Sequence, residues 1–212
     1  MIKNVVFDYA GVLADFNEQT FFEILGKSLG FDEKTCRELK RLCFDSALYR
    51  DYQTGLISRE NFLTYLTFKH HNLREEIFKV ANTDFSKLLN PKPEMVSLLK
   101  RLHKEGYRTF ILSNTIPETE QVIISSNFAK DVDVFELSNR THYAKPAPES
   151  FAHLIYMNGV NPEETLFIDD NEQNIDMARL FDINAIHFTS EAEAIPQIEE
   201  ALYGSAPQKN WH

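Results

Sequence analysis

Five short apolar runs constrain this chain more than any other feature: Val5-Val6-Phe7, Thr109-Phe110-Ile111-Leu112, Val132 to Leu137, Thr165-Leu166-Phe167-Ile168 and Ala185-Ile186-His187-Phe188. Each is rich in β-branched or aromatic residues and too short for a helix, so each reads as a strand. Amphipathic segments of helical period lie between the later four. Pro93 opens one, with Met95, Leu98, Leu99 and Leu102 on a single stripe and Gly106 as its stop. Pro117 opens another after Ser113-Asn114, and Pro148 a third, with Phe151, Leu154 and Ile155 inward and Gly159 at its end. Strands alternating with helices mean βαβ units, hence an α/β core with a doubly wound parallel sheet.

One interval breaks the rhythm. Roughly a hundred residues separate the first strand from the second, where a βαβ crossover needs about thirty. The excess, residues 16–88, shows helical stripes and no convincing strand. Phe21, Phe22, Leu25 and Leu29 form one stripe; Cys36, Leu39, Leu42 and Cys43 a second; Phe62, Leu63, Tyr65 and Leu66 a third, with Ser58 as its N-cap. The expected organisation is a core of residues 1–15 and 89–212 with an all-helical cap, residues 16–88, inserted after the first strand. Such a cap would stand over the carboxyl ends of the strands, where open α/β sheets bind ligands.

The residues at the strand ends carry the chemistry. The first strand ends in Asp8, the second in Ser113-Asn114, the fourth in Asp169-Asp170-Asn171, and Lys145 precedes the Pro148 helix. In a parallel sheet these ends share one edge, so three carboxylates, a hydroxyl, an amide and an ammonium converge on one crevice. Crowded carboxylates repel one another unless a cation sits among them. All-oxygen donors of this kind suit magnesium, which keeps waters and commonly binds a substrate phosphate. One carboxylate can then act as a nucleophile toward phosphorus, while Ser113, Asn114 and Lys145 donate to the oxygens of the transferring group.

Bulk properties narrow the partners. A formal charge of −10 argues against nucleic acid, whose phosphates need clustered Lys and Arg. It permits a small phosphorylated substrate, because one local positive site outweighs a distant negative surface. No run approaches the roughly 18 apolar residues of a membrane span, and the first residues lack the pattern of a signal peptide. Cys36 and Cys43 read as buried thiols of a reducing, cytoplasmic compartment. A monomer or a homodimer is expected.

The runs Phe7-Asp8-Tyr9-Ala10-Gly11-Val12-Leu13, Leu112-Ser113-Asn114-Thr115, Lys145-Pro146 and Phe167-Ile168-Asp169-Asp170-Asn171 resemble the four ordered motifs of the haloacid dehalogenase superfamily. The likeness spans the chain, and the helical insertion resembles that family's cap on a Rossmann-like core. With Asn174 following, the branch it resembles is that of the small-molecule phosphatases similar to glucose-1-phosphatase and the N-terminal domain of soluble epoxide hydrolase. The resemblance implies Asp8 as nucleophile, forming an aspartyl-phosphate, and as metal ligand. It implies the Ala10 carbonyl and Asp170 as further magnesium ligands, with Asp169 either a direct ligand or one layer behind. Ser113 and Asn114 would hold phosphoryl oxygens, and Lys145 would pair with both nucleophile and phosphate.

Ala10 departs from the pattern. Most phosphatases of the superfamily carry there an aspartate that serves as general acid, a contribution of about 10²–10⁴-fold. Its absence predicts a substrate with a good leaving group, such as an anomeric sugar phosphate, an aryl phosphate or an acyl phosphate. Asp15, His70 and His71 are the candidates for a substitute acid. Three other readings compete. Dehalogenases share Ser-Asn in the second motif but lack the acidic pair of the fourth. Phosphonatases share Ala10-Gly11 and use a cap lysine, for which Lys27, Lys34 and Lys40 are available, but differ in the fourth motif. A binding module without catalysis would explain the lost acid but not the retained nucleophile.

Overall fold

The computed structural model describes residues 1–16, 26–27 and 29–204. Of the stripe Phe21, Phe22, Leu25 and Leu29, only Leu29 is among them; the others lie outside the described residues.

Seven strands are present among these residues: β1 (Asn4–Phe7), β2 (Ala14–Phe16), β3 (Leu89–Pro91), β4 (Arg108–Ser113), β5 (Val134–Leu137), β6 (Thr165–Asp169) and β7 (Asn184–His187). Five of them form one sheet in the order β5-β4-β1-β6-β7, every neighbouring pair parallel. The strand expected from Val132 begins at Val134, because Val132 closes a 3-10 turn over Ala129–Asp131.

The three inner strands, β4, β1 and β6, are buried on both faces apart from Arg108 at the start of β4. On one face Val5, Phe7, Ile111, Leu166 and Ile168 pack with Met95, Leu99 and Leu102 of α5 (Pro93–Lys104) and Ala194, Ile198 and Leu202 of α10 (Glu191–Tyr203). On the other, Val6, Phe110, Leu112 and Phe167 meet Phe151 and Leu154 of α8 (Pro148–Asn158) and Ile175 and Ala178 of α9 (Glu172–Leu180). The period-two alternation of the strands thus feeds two clusters, one per face. The sequence expectation of a doubly wound core is met.

Residues between the second and third strands build a separate cluster. It takes Cys36, Leu39, Leu42 and Cys43 from α1 (Glu33–Cys43) and Tyr52 from α2 (Ala47–Gln53). Phe62, Leu63 and Leu66 come from α3 (Arg59–Lys69), and Ile77 and Val80 from α4 (Arg74–Ala81). Ser58 caps α3 as expected, its Oγ accepting from Asn61 N at 3.1 Å. Both cysteines are free and buried.

Two features escaped the periodicity. β2 and β3 form a short antiparallel pair at the root of the helical region, with Asp15 opposite Asn90; three-residue strands carry too little alternation to be read. The helix α10 carries Pro196 within it, which breaks the sequence signal.

Candidate active site

The sheet's carboxyl edge gathers the expected side chains. Asp8 follows β1, and its N–H continues the ladder to Ile168 O at 2.9 Å. Ser113 ends β4 and Asp169 ends β6. Lys145 reaches in from the loop before α8, placing its Nζ 3.0 Å from Asp8 Oδ2 and 2.5 Å from Asp169 Oδ2. All three are buried, Asp169 completely. Buried charges of this kind persist only when paired and hydrogen-bonded.

The pairing is extensive. Asp8 Oδ1 accepts from Tyr9 N at 2.6 Å. Asp169 accepts from Asn171 N at 2.8 Å and from Asn174 Nδ2 at 2.9 and 3.1 Å on its two oxygens, besides Lys145. Asn114 is turned toward the Lys145 backbone: its amide nitrogen donates to Lys145 O and its oxygen accepts from Lys145 N, both at 2.8 Å. This pair of hydrogen bonds fixes the loop whose Lys145–Pro146 peptide is cis.

Burial pushes the Asp8 carboxyl up to about 7; Lys145 opposes the shift and the charge of Asp169 adds to it. Burial alone would lower the Lys145 ammonium, but Asp8 and Asp169 outweigh it and hold it above its ordinary value. Burial, then the Asp169 charge, raises Asp170 as well. Two carboxylates with raised protonation beside a buried third describe a site short of positive charge.

A cation fits that deficit. Asp8, Asp169 and Asp170 each offer an oxygen within 4.8 Å of the others, the one cluster of this kind among the described residues. Gly11 shapes the same spot: at φ +94° its backbone lies so close that an added Cβ would stand 2.3 Å from Asp170 Cγ and Oδ2. Only glycine leaves room there, and an L side chain would also be strained at that angle. No hydrogen bond among the described residues ends on the Ala10 carbonyl. A hard, oxygen-seeking ion such as Mg²⁺ matches these donors.

None of Ser113, Asn114, Asp169 and Asp170 serves as a helix cap. The helix α6 (Pro117–Ile124) is capped from Thr119, whose Oγ1 accepts from Ile116 N, and not by Ser113 or Asn114. Asn171, not either aspartate, caps α9. Of the suggested substitute acids, Asp15 is ion-paired with Lys92 at 2.5 Å, and His70 and His71 end α3 and begin a 3-10 turn. Tyr52 donates to Glu118 at 2.6 Å and stacks on Phe62, so its ring fills the helical region's own cluster. Sequence reasoning missed the part of Asn174 except as a motif neighbour. An amide five residues past a strand-end aspartate, facing back across one helical turn, is the signal that was available.

The central strand of this doubly wound sheet is followed by a lysine-paired aspartate that belongs to an acidic cluster. The sequence model of the haloacid dehalogenase-like hydrolases matches residues 2–182, and the chain belongs to that family. It is 29% identical over 187 residues to D-ribitol-5-phosphate phosphatase of Bacteroides thetaiotaomicron, covering 84% of this chain and 88% of that protein. A HAD-like family hydrolase of Porphyromonas gingivalis superposes with a TM-score of 0.75 at 24% identity, covering 97% of this chain and 100% of the other. A HAD family enzyme of B. thetaiotaomicron, solved in complex with magnesium and inorganic phosphate, gives 0.73 at 23% identity, covering 92% and 99%. The family expected from the four motifs is the one found, and the chain is an enzyme of the hydrolase class. No helix among the described residues is long and apolar enough to cross a membrane.

Proposed function

We propose that this chain is a magnesium-dependent phosphatase acting on a small sugar phosphate, with Asp8 as nucleophile. The observation that carries the reading is the Lys145 ammonium held between Asp8 and Asp169 at the mouth of an acidic cluster. Similarity to a ribitol-phosphate phosphatase supports the substrate class.

Asp8, Asp170 and the Ala10 carbonyl would hold the ion, with Asp169, its oxygens already engaged by Lys145 and Asn174, standing behind them. When bound, magnesium supplies positive charge for the phosphoryl oxygens and keeps Asp8 ionised. An Asp8 oxygen attacks phosphorus, the P–O bond to the leaving group breaks, and the departing oxygen takes its proton from water. Water then cleaves the acyl phosphate on Asp8, releasing phosphate. Lys145 and Ser113 stabilise the charge that develops on the transferring group. Asn114 holds Lys145 in place through its backbone. The helices between Glu33 and Ala81 act as the cap that selects the leaving group.

With Ala10 in place of a general acid, turnover favours a leaving group that departs without protonation. The test is phosphate release with magnesium from an anomeric sugar phosphate, an acyl phosphate and ribitol 5-phosphate, beside Asp8→Asn. Release that vanishes in the variant supports the reading. Ala10→Asp should raise activity on ribitol 5-phosphate more than on the acyl phosphate, and equal gains would refute the leaving-group argument.

A further inference from the structure

Resting on the phosphatase reading, we propose that Ser138 is a positioning residue that moors the cap to Ser113–Thr115, so that cap placement and phosphoryl binding are set together. Ser138 opens the short helix α7 (Ser138–Thr141) and is 1% exposed. Its hydroxyl accepts from Thr115 N at 2.8 Å and donates to Gln53 O, in the cap, at 2.7 Å. One buried oxygen therefore satisfies a backbone group on each side of the junction, and its loss would orphan both.

Neighbouring contacts hold the same two loops together. Thr115 Oγ1 donates to Asn139 Oδ1 at 2.6 Å. His142, in the left-handed region at φ 68°, donates through Nδ1 to Thr54 O at 2.7 Å. A bulky residue keeps that backbone conformation only where its surroundings over-determine it. Gly55, at φ +66°, presses so closely that an added Cβ would stand 2.3 Å from Asn139 O. On the other side of the segment, Glu118 of α6 accepts from Tyr52 Oη at 2.6 Å and Arg59 Nε at 2.7 Å, both from the cap. These cap contacts converge on the stretch that leaves β4, the strand that presents Ser113.

The mooring separates two substrates. Acetyl phosphate offers little beyond the phosphoryl group, whereas ribitol 5-phosphate extends toward the cap. Gly55→Ala, whose methyl collides with Asn139 O and shifts the cap, should lower kcat/KM for ribitol 5-phosphate by about tenfold through misplacement of the leaving group, mainly through KM, and leave acetyl phosphate unchanged. Ser138→Ala should depress kcat for both substrates, because Thr115 loses its acceptor, and should speed hydrogen exchange at the Thr115 amide by about tenfold. An unchanged substrate ratio in Gly55→Ala, or unchanged Thr115 protection in Ser138→Ala, would overturn the proposal. Should Ser138→Ala not fold, Gly55→Ala, which removes no core hydrogen bond, decides it. Wild-type protein that releases phosphate from neither substrate would refute the phosphatase reading instead. Thr115 exchange in Ser138→Ala would then still decide the mooring.

Discussion

The sheet edge and the helical region proposed as the cap are stabilised in opposite ways. At the edge, charged side chains sit in nearly full burial, held by one another: Asp8, Lys145 and Asp169 between two apolar clusters. In the cap the buried side chains are thiols, aromatics and aliphatics, and the charged groups lie outside, with Tyr65 and Phe68 exposed among them. A lone buried charge is expensive, so each member of the edge depends on its partners. A cap residue contributes mostly its own area and tolerates replacement by others of similar volume. The first arrangement ties each side chain to its partners; the second leaves room for substitution.

That contrast can be broken at the edge first. Asp8→Asn should cut kcat by on the order of 10⁴ or more, while raising the thermal midpoint of the metal-free protein by relieving carboxylate crowding. A midpoint that falls would mean the aspartate stabilises the edge rather than straining it. Gly11→Ala should weaken magnesium binding by roughly 10–100-fold, since its methyl collides with Asp170; titration by calorimetry reads this, and unchanged affinity would remove Asp170 from the ligand set. Magnesium affinity should also fall about tenfold for each pH unit below 7. The Asp8 carboxyl, raised to about 7 without metal, is protonated on the acid side and must release that proton to bind. A flat affinity between pH 5 and pH 7 would contradict the shift.

In the cap, effects should appear in stability instead. Leu39→Ala, at a position 1% exposed, should cost about 2–5 kcal/mol of unfolding free energy and leave magnesium affinity unchanged. Ser58→Ala should cost only about 1 kcal/mol through the lost cap of α3, measurable by denaturant titration. If either shifts magnesium binding, the two regions are less independent than their construction implies.

The sequence made the core legible because short apolar runs and Pro/Gly punctuation act locally. Pro93, Pro117 and Pro148 each open the helix expected of them, and Gly159 ends the last in the left-handed conformation. The polar residues at the strand ends were legible because a parallel sheet forces such ends to one edge. The use each residue makes of its neighbours was not. Asn114 looked like a donor for phosphate, and only the fold brings the Lys145 backbone against it. The Ser138–Gln53 contact joins a side chain to a carbonyl, and a carbonyl is present at every position, so no residue type announces it.

The place of β1 in the sheet bears on how the enzyme comes into being. Asp8 follows a strand whose neighbours, β4 and β6, pair Val5 with Thr109 and Leu166. Asp8 therefore waits for most of the polypeptide to be available before its own strand is flanked. Long-range pairing of this kind slows folding, and a chain ending before β4 or β6 would contain Asp8 without the strands that flank it.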